Sequence, residues 1–315
     1  SWRRRLRSMS SVNTTLVASL FIRLPQNHAK HAYAFQYKGF KLAVDVPAEY
    51  ELWGSANELE QISKARAAQG HSTVTHPVDF EFVSQLVARR LGVSTEQLLR
   101  AAKRSAAPRH CPSAELIVLW LSKPLIVELA MQAHPERERF AWVDAAFNAY
   151  RVLKKRPAHP PPWHSFWPER GLAVRMHEGA CHNELRPGVT HARCPAATFL
   201  WGRRDAWHAF NRRYLERVRE LVTAEPPPQG MLCTEQDLWA DVLARHNVDG
   251  HLATEFTTSD AGGWGWERPE PVSVTCGDGN VNVGNRCVAD VGLCEGPSCT
   301  SVSVKGAGAV NNRPG

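Results

Sequence analysis

Phe140-Ala141-Trp142-Val143-Asp144-Ala145-Ala146 is an apolar run that ends in a single carboxylate. Consecutive apolar residues suit a strand buried on both faces, as in a parallel sheet. Ligands of such sheets bind outside the carboxyl ends of the strands, so an acid at residue 144 faces the usual crevice. It could equally cap the turn that follows. An enzyme that handles a nucleotide diphosphate can use a carboxylate placed there to hold Mg²⁺ or Mn²⁺, whose hard charge prefers oxygen ligands.

The rhythm upstream agrees with an α/β reading. Leu16–Leu24 and Phe40–Val46 read as buried strands, residues 57–69 as a helix stopped by Gly70, and Ser72–Val78 as another strand. Helices are expected over Phe80–Arg90 and Thr95–Ser105, the second with Ser94 and Gln97 as a capping box. Glu115–Leu121 reads as a strongly apolar strand; Ser122 then caps a helix over Lys123–Ala133 whose Pro124 lies in the first turn.

Downstream, residues 151–195 read as an irregular block with Pro160, Pro161 and Pro162 followed by Trp163, Phe166 and Trp167. A strand is expected over Ala196–Trp201 and a helix over Asp205–Val222, where Trp207, Phe210, Tyr214, Val218 and Leu221 mark one face. Gly202 permits a tight turn between them, either an ordinary turn or a helix start that meets an anion or sugar hydroxyls. Thr234 opens a further helix through Leu243, with Glu235, Gln236 and Asp237 in its first turn. Acids favour that position in any helix, and Thr234 with Asp237 nearly forms a capping box.

At 315 residues, 43% hydrophobic and 22% charged, the chain can bury a large core, which excludes wholesale disorder. No apolar run approaches the roughly 20 residues of a membrane-spanning helix; Leu16–Leu24 is interrupted by Ser19 and Arg23. The basic Ser1–Arg7 segment lacks a small-residue cleavage site behind Leu16–Ile22, which argues for a buried first strand over a targeting segment. The net charge of +7 is patchy. From Glu255 onward four basic residues face seven acidic ones, so the body carries +10, concentrated at Arg3–Arg7 and at Arg151, Lys154, Lys155 and Arg156. Cations beside Trp163 and Trp167 could hold a nucleic acid, but no nucleic-acid-binding module accompanies them and none is expected as a partner.

Taken in order, Ser122-Lys123-Pro124, Trp142-Val143-Asp144-Ala145, Phe199-Leu200-Trp201-Gly202 and Glu235-Gln236-Asp237 resemble the HtrL/WlaTC (HtrL/YibB-like) family of glycosyltransferases, over residues 14–250. The resemblance implies a GT-A-like fold with a mixed, mostly parallel sheet flanked by helices, a nucleotide-sugar donor, and a glycan or glycoconjugate acceptor. A catalytically inactive sugar- or partner-binding relative is the alternative. The resemblance assigns catalysis to Asp144 with Glu235 or Asp237, and donor or substrate binding to Asp45, Arg66, Lys123, Trp142, Gly202, Arg203 and Gln236. Asp144 would hold Mn²⁺ or Mg²⁺. Ala146 stands where the family has Gly and where a DxD motif has its second Asp, so such a metal would need other ligands, such as His246 or water.

The organisation expected is a basic segment over residues 1–11, one catalytic domain over 12–255, and an irregular or disordered tail over 256–315. Cys276, Cys287, Cys294 and Cys299 in that tail allow three pairings and suggest an oxidising compartment, whereas Cys111 and Cys233 need not pair. His177, Cys181, His182, His191 and Cys194 match no strong zinc pattern. A Golgi-like lumen and the cytoplasm both remain open.

Overall fold

The computed structural model describes residues 15–25, 28–29, 34, 37, 48–107, 111–144, 168, 170–178, 193–225, 232–247, 252–256, 280–283 and 286–289. Asp45 and the expected strand Phe40–Val46 lie outside these residues, as do Ala146, the basic Pro-rich connection and most of the tail. Two compact units divide the chain, Ser1–Arg268 and Pro269–Gly315. The second contains an antiparallel pair, β8 (Asn280–Val283) and β9 (Arg286–Ala289).

The first unit is built on a seven-stranded sheet in the order β3-β2-β1-β4-β6-β5-β7. Its strands are β1 (Leu16–Phe21), β2 (Glu49–Gly54), β3 (Thr73–Pro77), β4 (Arg139–Val143), β5 (Leu172–Glu178), β6 (Arg193–Arg203) and β7 (Ala253–Phe256). β1 to β4 run parallel, as do β5 and β7, while β6 runs antiparallel to both neighbours. The expected mixed, mostly parallel sheet is what the chain forms. The order runs outward from β1 through β2 to β3 and then returns to β4 on the other side of β1. That reversal opens a crevice at the carboxyl ends of β1 and β4. Gly54 ends β2 at this edge with φ +146, and a Cβ there would lie 1.8 Å from the Phe21 carbonyl oxygen, so only glycine allows the approach.

The helices are α1 (Ala56–Ala68), α2 (Phe80–Leu91), α3 (Thr95–Ser105), α4 (Ala114–Leu121), α5 (Lys123–Ala133), α6 (Arg204–Thr223) and α7 (Glu235–His246). None among the described residues is long and apolar enough to cross a membrane. The five aromatic and aliphatic residues expected on one face of α6 are all buried. From that face the Trp207 indole N–H donates to the Phe140 carbonyl at 3.1 Å and the Tyr214 hydroxyl to the Leu121 carbonyl at 3.1 Å. Arg204 at the start of α6 donates to the carbonyls of Met131 at 2.8 Å and His134 at 2.5 Å, placing a cation at the carboxyl end of α5 where the helix dipole favours it.

Four expectations are corrected. Glu115–Leu121 is helical, as α4, with the Ser113 hydroxyl accepting from the Leu116 N–H at 3.1 Å; an apolar octet buried on most sides has no periodicity to betray its type. Ser122 does not cap α5: its hydroxyl donates to the Leu119 carbonyl at 2.8 Å, and its helical backbone joins α4 to α5. The block over residues 151–195 contains β5 and the start of β6. β2 also went unanticipated: it is short, and Glu51, which is fully buried and pairs with His134, puts an acid where a strand buried on both faces would carry an apolar residue.

The fourth correction is a disulfide. Cys111 and Cys233 are joined with their Cα atoms 5.5 Å apart, tying the segment before α4 to the segment before α7 across 122 positions of sequence. Replacing both by Ser should lower the unfolding free energy by about 2–5 kcal/mol in urea titration. Peptide mapping of the unreduced chain should recover the two cysteines in one cross-linked species; recovery of both as free thiols would contradict the pairing.

Candidate functional site

Lys123 is the first residue of α5, where the helix dipole presents positive charge and no acid occupies the first turn. It is also buried, with 5% of its side chain exposed. Both conditions disfavour an ammonium, and two carboxylates offset them. The Lys123 Nζ donates to Asp144 Oδ2 at 2.8 Å and to Glu235 Oε1 at 2.6 Å. Burial pushes the Lys123 pKa down, but the charges and hydrogen bonds of Asp144 and Glu235 outweigh it and hold the group above its ordinary value of 10.5.

Each partner is delivered by a different element. Asp144 directly follows β4, and its N–H donates to the Thr198 carbonyl at 2.6 Å, extending the β4–β6 ladder by one residue and fixing the backbone under the carboxylate. Trp142 shares its face of β4 by strand alternation, and the Lys123 ammonium stands 5.9 Å from its ring centroid, within reach of a cation–π attraction. Glu235 is the first residue of α7, so the helix dipole favours its negative charge. The Asp144 side chain is 25% exposed against 9% for Glu235, so Asp144 is the member that a ligand in the crevice meets first.

The other expected residues divide. Gln236 is half-buried on the first turn of α7. Asp237 is buried and turned back on its helix cap: the Thr234 hydroxyl donates to Asp237 Oδ2 at 2.5 Å and accepts from the Asp237 N–H. Gly202 and Arg203 do not join the cluster. Because β6 is antiparallel, Gly202 pairs with Phe140 and lies about 13 Å along the strand direction from the Asp144 end of the sheet. A Cβ at Gly202 would meet Leu172 Cδ2 at 2.5 Å, which makes it a packing glycine. Arg203 is exposed and pairs with Glu138 at 2.9 Å. Arg66 is buried in the last turn of α1, bonded to Thr73 Oγ1 at 2.8 Å and to the Ala48 carbonyl, with its guanidinium 4.1 Å from the Tyr50 ring centroid. It stitches α1 to the amino ends of β2 and β3, the edge opposite Asp144.

The facing oxygens of Asp144 and Glu235 do not fit a bridging divalent ion. One oxygen of Asp144 and one of Glu235 already accept from the same ammonium, and among the described residues no three His, Cys, Asp or Glu side chains are grouped to hold a metal. His246 ends α7, about 16 Å along the helix from Glu235.

Two features of this region were not anticipated. The Cys111–Cys233 disulfide anchors the chain two residues before Glu235; a pairing of such sequence separation leaves no local pattern. Arg23 is exposed two residues beyond β1 at the same sheet edge, its N–H bonded to Ser55 Oγ at 3.2 Å; the break it makes in an apolar run was the available signal.

No protein-family model matches the sequence, and no curated protein matches it. Among solved structures, mouse xyloside xylosyltransferase 1 in its apo form is similar at 10% identity and a TM-score of 0.46, over 76% of this chain and 83% of that one. A glycosyltransferase involved in glycosylation of the major capsid of PBCV-1 matches at 10% identity and a TM-score of 0.30, over 78% and 81%.

Replacing Lys123 by Met should cost about 3–5 kcal/mol, because the buried Glu235 and half-buried Asp144 carboxylates then face each other without a cation. The folded-state pKa of Lys123 is raised, so its contribution is fully present below the ordinary value of 10.5 and is lost as pH rises through the raised value. The stability gap between wild type and Lys123→Met should therefore be level through neutral pH and shrink only in strongly alkaline solution. A gap that closes near neutrality would contradict the ion cluster. Gly202→Ala, by contrast, should cost about 1–3 kcal/mol through overpacking, with ligand affinity at the crevice unchanged.

Proposed function

We propose that this chain is a GT-A-like glycosyltransferase that takes a nucleotide-sugar donor and passes the sugar to a hydroxyl of a glycan or glycoconjugate. One observation carries the reading. Three pieces of the sequence that bear the HtrL/WlaTC resemblance, at Lys123, Asp144 and Glu235, are 21 and 112 positions apart, counted from Lys123, and meet at one ammonium. They meet where the sheet order reverses, the place where α/β sheets bind ligands.

In the transfer, an acceptor oxygen bonds to the sugar C1 as the bond from C1 to the diphosphate oxygen breaks, and the bonding pair leaves with the diphosphate. The acceptor proton needs a base if the reaction inverts. Glu235 or Asp237 was expected to serve, but Asp144 is better placed than either, being the most exposed of the three acids. Glu235 fixes the ammonium from the other side, and Asp237 is taken up by Thr234. Exposed Arg23 adds a positive residue two positions beyond β1.

Incubation with a panel of UDP-, GDP- and CMP-sugars should release nucleotide from one of them. Asp144→Asn should lower kcat/KM about 10²–10⁴-fold while leaving the melting temperature nearly unchanged. Donor binding with no turnover under any acceptor would instead support the inactive sugar-binding relative, and the absence of both would overturn the reading.

A further inference from the structure

We propose that Lys123 stands in the position a divalent cation takes in metal-dependent sugar transferases, so that this site binds its donor without an added metal ion. The proposal rests on the transferase reading of the same site and deepens it.

The geometry is that of competition for one place. Oxygen ligands hold Mg²⁺ and Mn²⁺ at about 2.0–2.2 Å, and an ion bridging Asp144 and Glu235 would sit between their facing oxygens. The Lys123 ammonium is already there, 2.8 Å from one and 2.6 Å from the other, with the Trp142 ring closing a further side. A metal could take that bridging place only by driving a buried cation out. The ammonium in turn has little freedom to leave, since its helix begins at Lys123 and the joint behind it is held by the Tyr214 bond to Leu121 and the Asn211 bond to Pro124.

Energetics point the same way. A buried ion network adds little net stability over a well-packed apolar one, and this lysine also opposes a helix dipole, so stability alone does not account for it. What the lysine supplies is a permanent positive charge that brings two acids together. Lys123 is held as an ammonium well past neutral pH by both carboxylates. Among Lys123, Asp144 and Glu235 the acids outnumber the cation by one, and the half-buried Asp144 is the more exposed acid, which suits hydroxyl recognition and proton acceptance.

Two measurements on the full chain test this. Donor binding by calorimetry should be the same in EDTA and in excess Mn²⁺; binding that EDTA abolishes and Mn²⁺ restores overturns the proposal. Mn²⁺ binding followed by electron paramagnetic resonance, with no nucleotide present, should show no site at Asp144 in the wild type. Lys123→Ala should gain one, tightening Mn²⁺ binding by about tenfold or more. A wild-type Mn²⁺ site that Asp144→Asn removes would overturn the proposal even if Lys123→Ala fails to fold. Should no nucleotide sugar bind under either condition, the transferase reading fails, and the Mn²⁺ titration alone still decides what occupies the cluster.

Discussion

The charge on Lys123 constrains everything around it. A buried ammonium at the positive end of a helix is tolerated only while two carboxylates stay within hydrogen-bonding distance, and those carboxylates come from the end of β4 and the start of α7. Three segments far apart in sequence are thereby held to one point at the carboxyl edge of the sheet. Removing Lys123 leaves two carboxylates without their cation, which costs more than the network returns as net stability. The cluster is therefore better understood as a device for position than as a source of stability.

The scaffold keeps those three segments from drifting. β6 fixes the Asp144 backbone from one side while α6, which leaves the other end of β6, packs its aromatic face against β4 and the α4–α5 joint. Arg204 gathers the carbonyls at the far end of the Lys123 helix. The Cys111–Cys233 disulfide ties the approach to Glu235 to the start of α4. Each contact acts on the backbone or on a helix end, so the side chains at the crevice inherit their positions from elements that are themselves buried.

Most of the helices and the strands β1, β3, β4 and β6 were legible in the sequence, because amphipathic spacing on α6, the Ser94 cap of α3 and the Gly70 stop of α1 are local signals. The conjunction of Lys123, Asp144 and Glu235 was legible only through resemblance, since nothing local says that residues 123 and 235 meet. Gly202 shows where local reading fails: strand, glycine, then helix look alike whichever way the strand runs, and the antiparallel direction of β6 sends Gly202 and Arg203 to the opposite edge. Arg66 was expected to bind donor or substrate, but its burial against Tyr50 makes it a structural stitch. Glu51 hid β2 because a fully buried acid does not read as part of a strand buried on both faces, and the histidine that pairs with it lies 83 positions away. Asp237 had an evident capping role from the start, and that role is the one it performs.

The most direct test of a donor site at this edge is a crystal structure grown with the nucleotide sugar that binds. The donor should lie across the carboxyl ends of β1 and β4, with a sugar hydroxyl or C1 within hydrogen-bonding reach of Asp144 and the Lys123 cluster intact beneath it. A ligand seated elsewhere on the chain, with Asp144 untouched, would contradict the account.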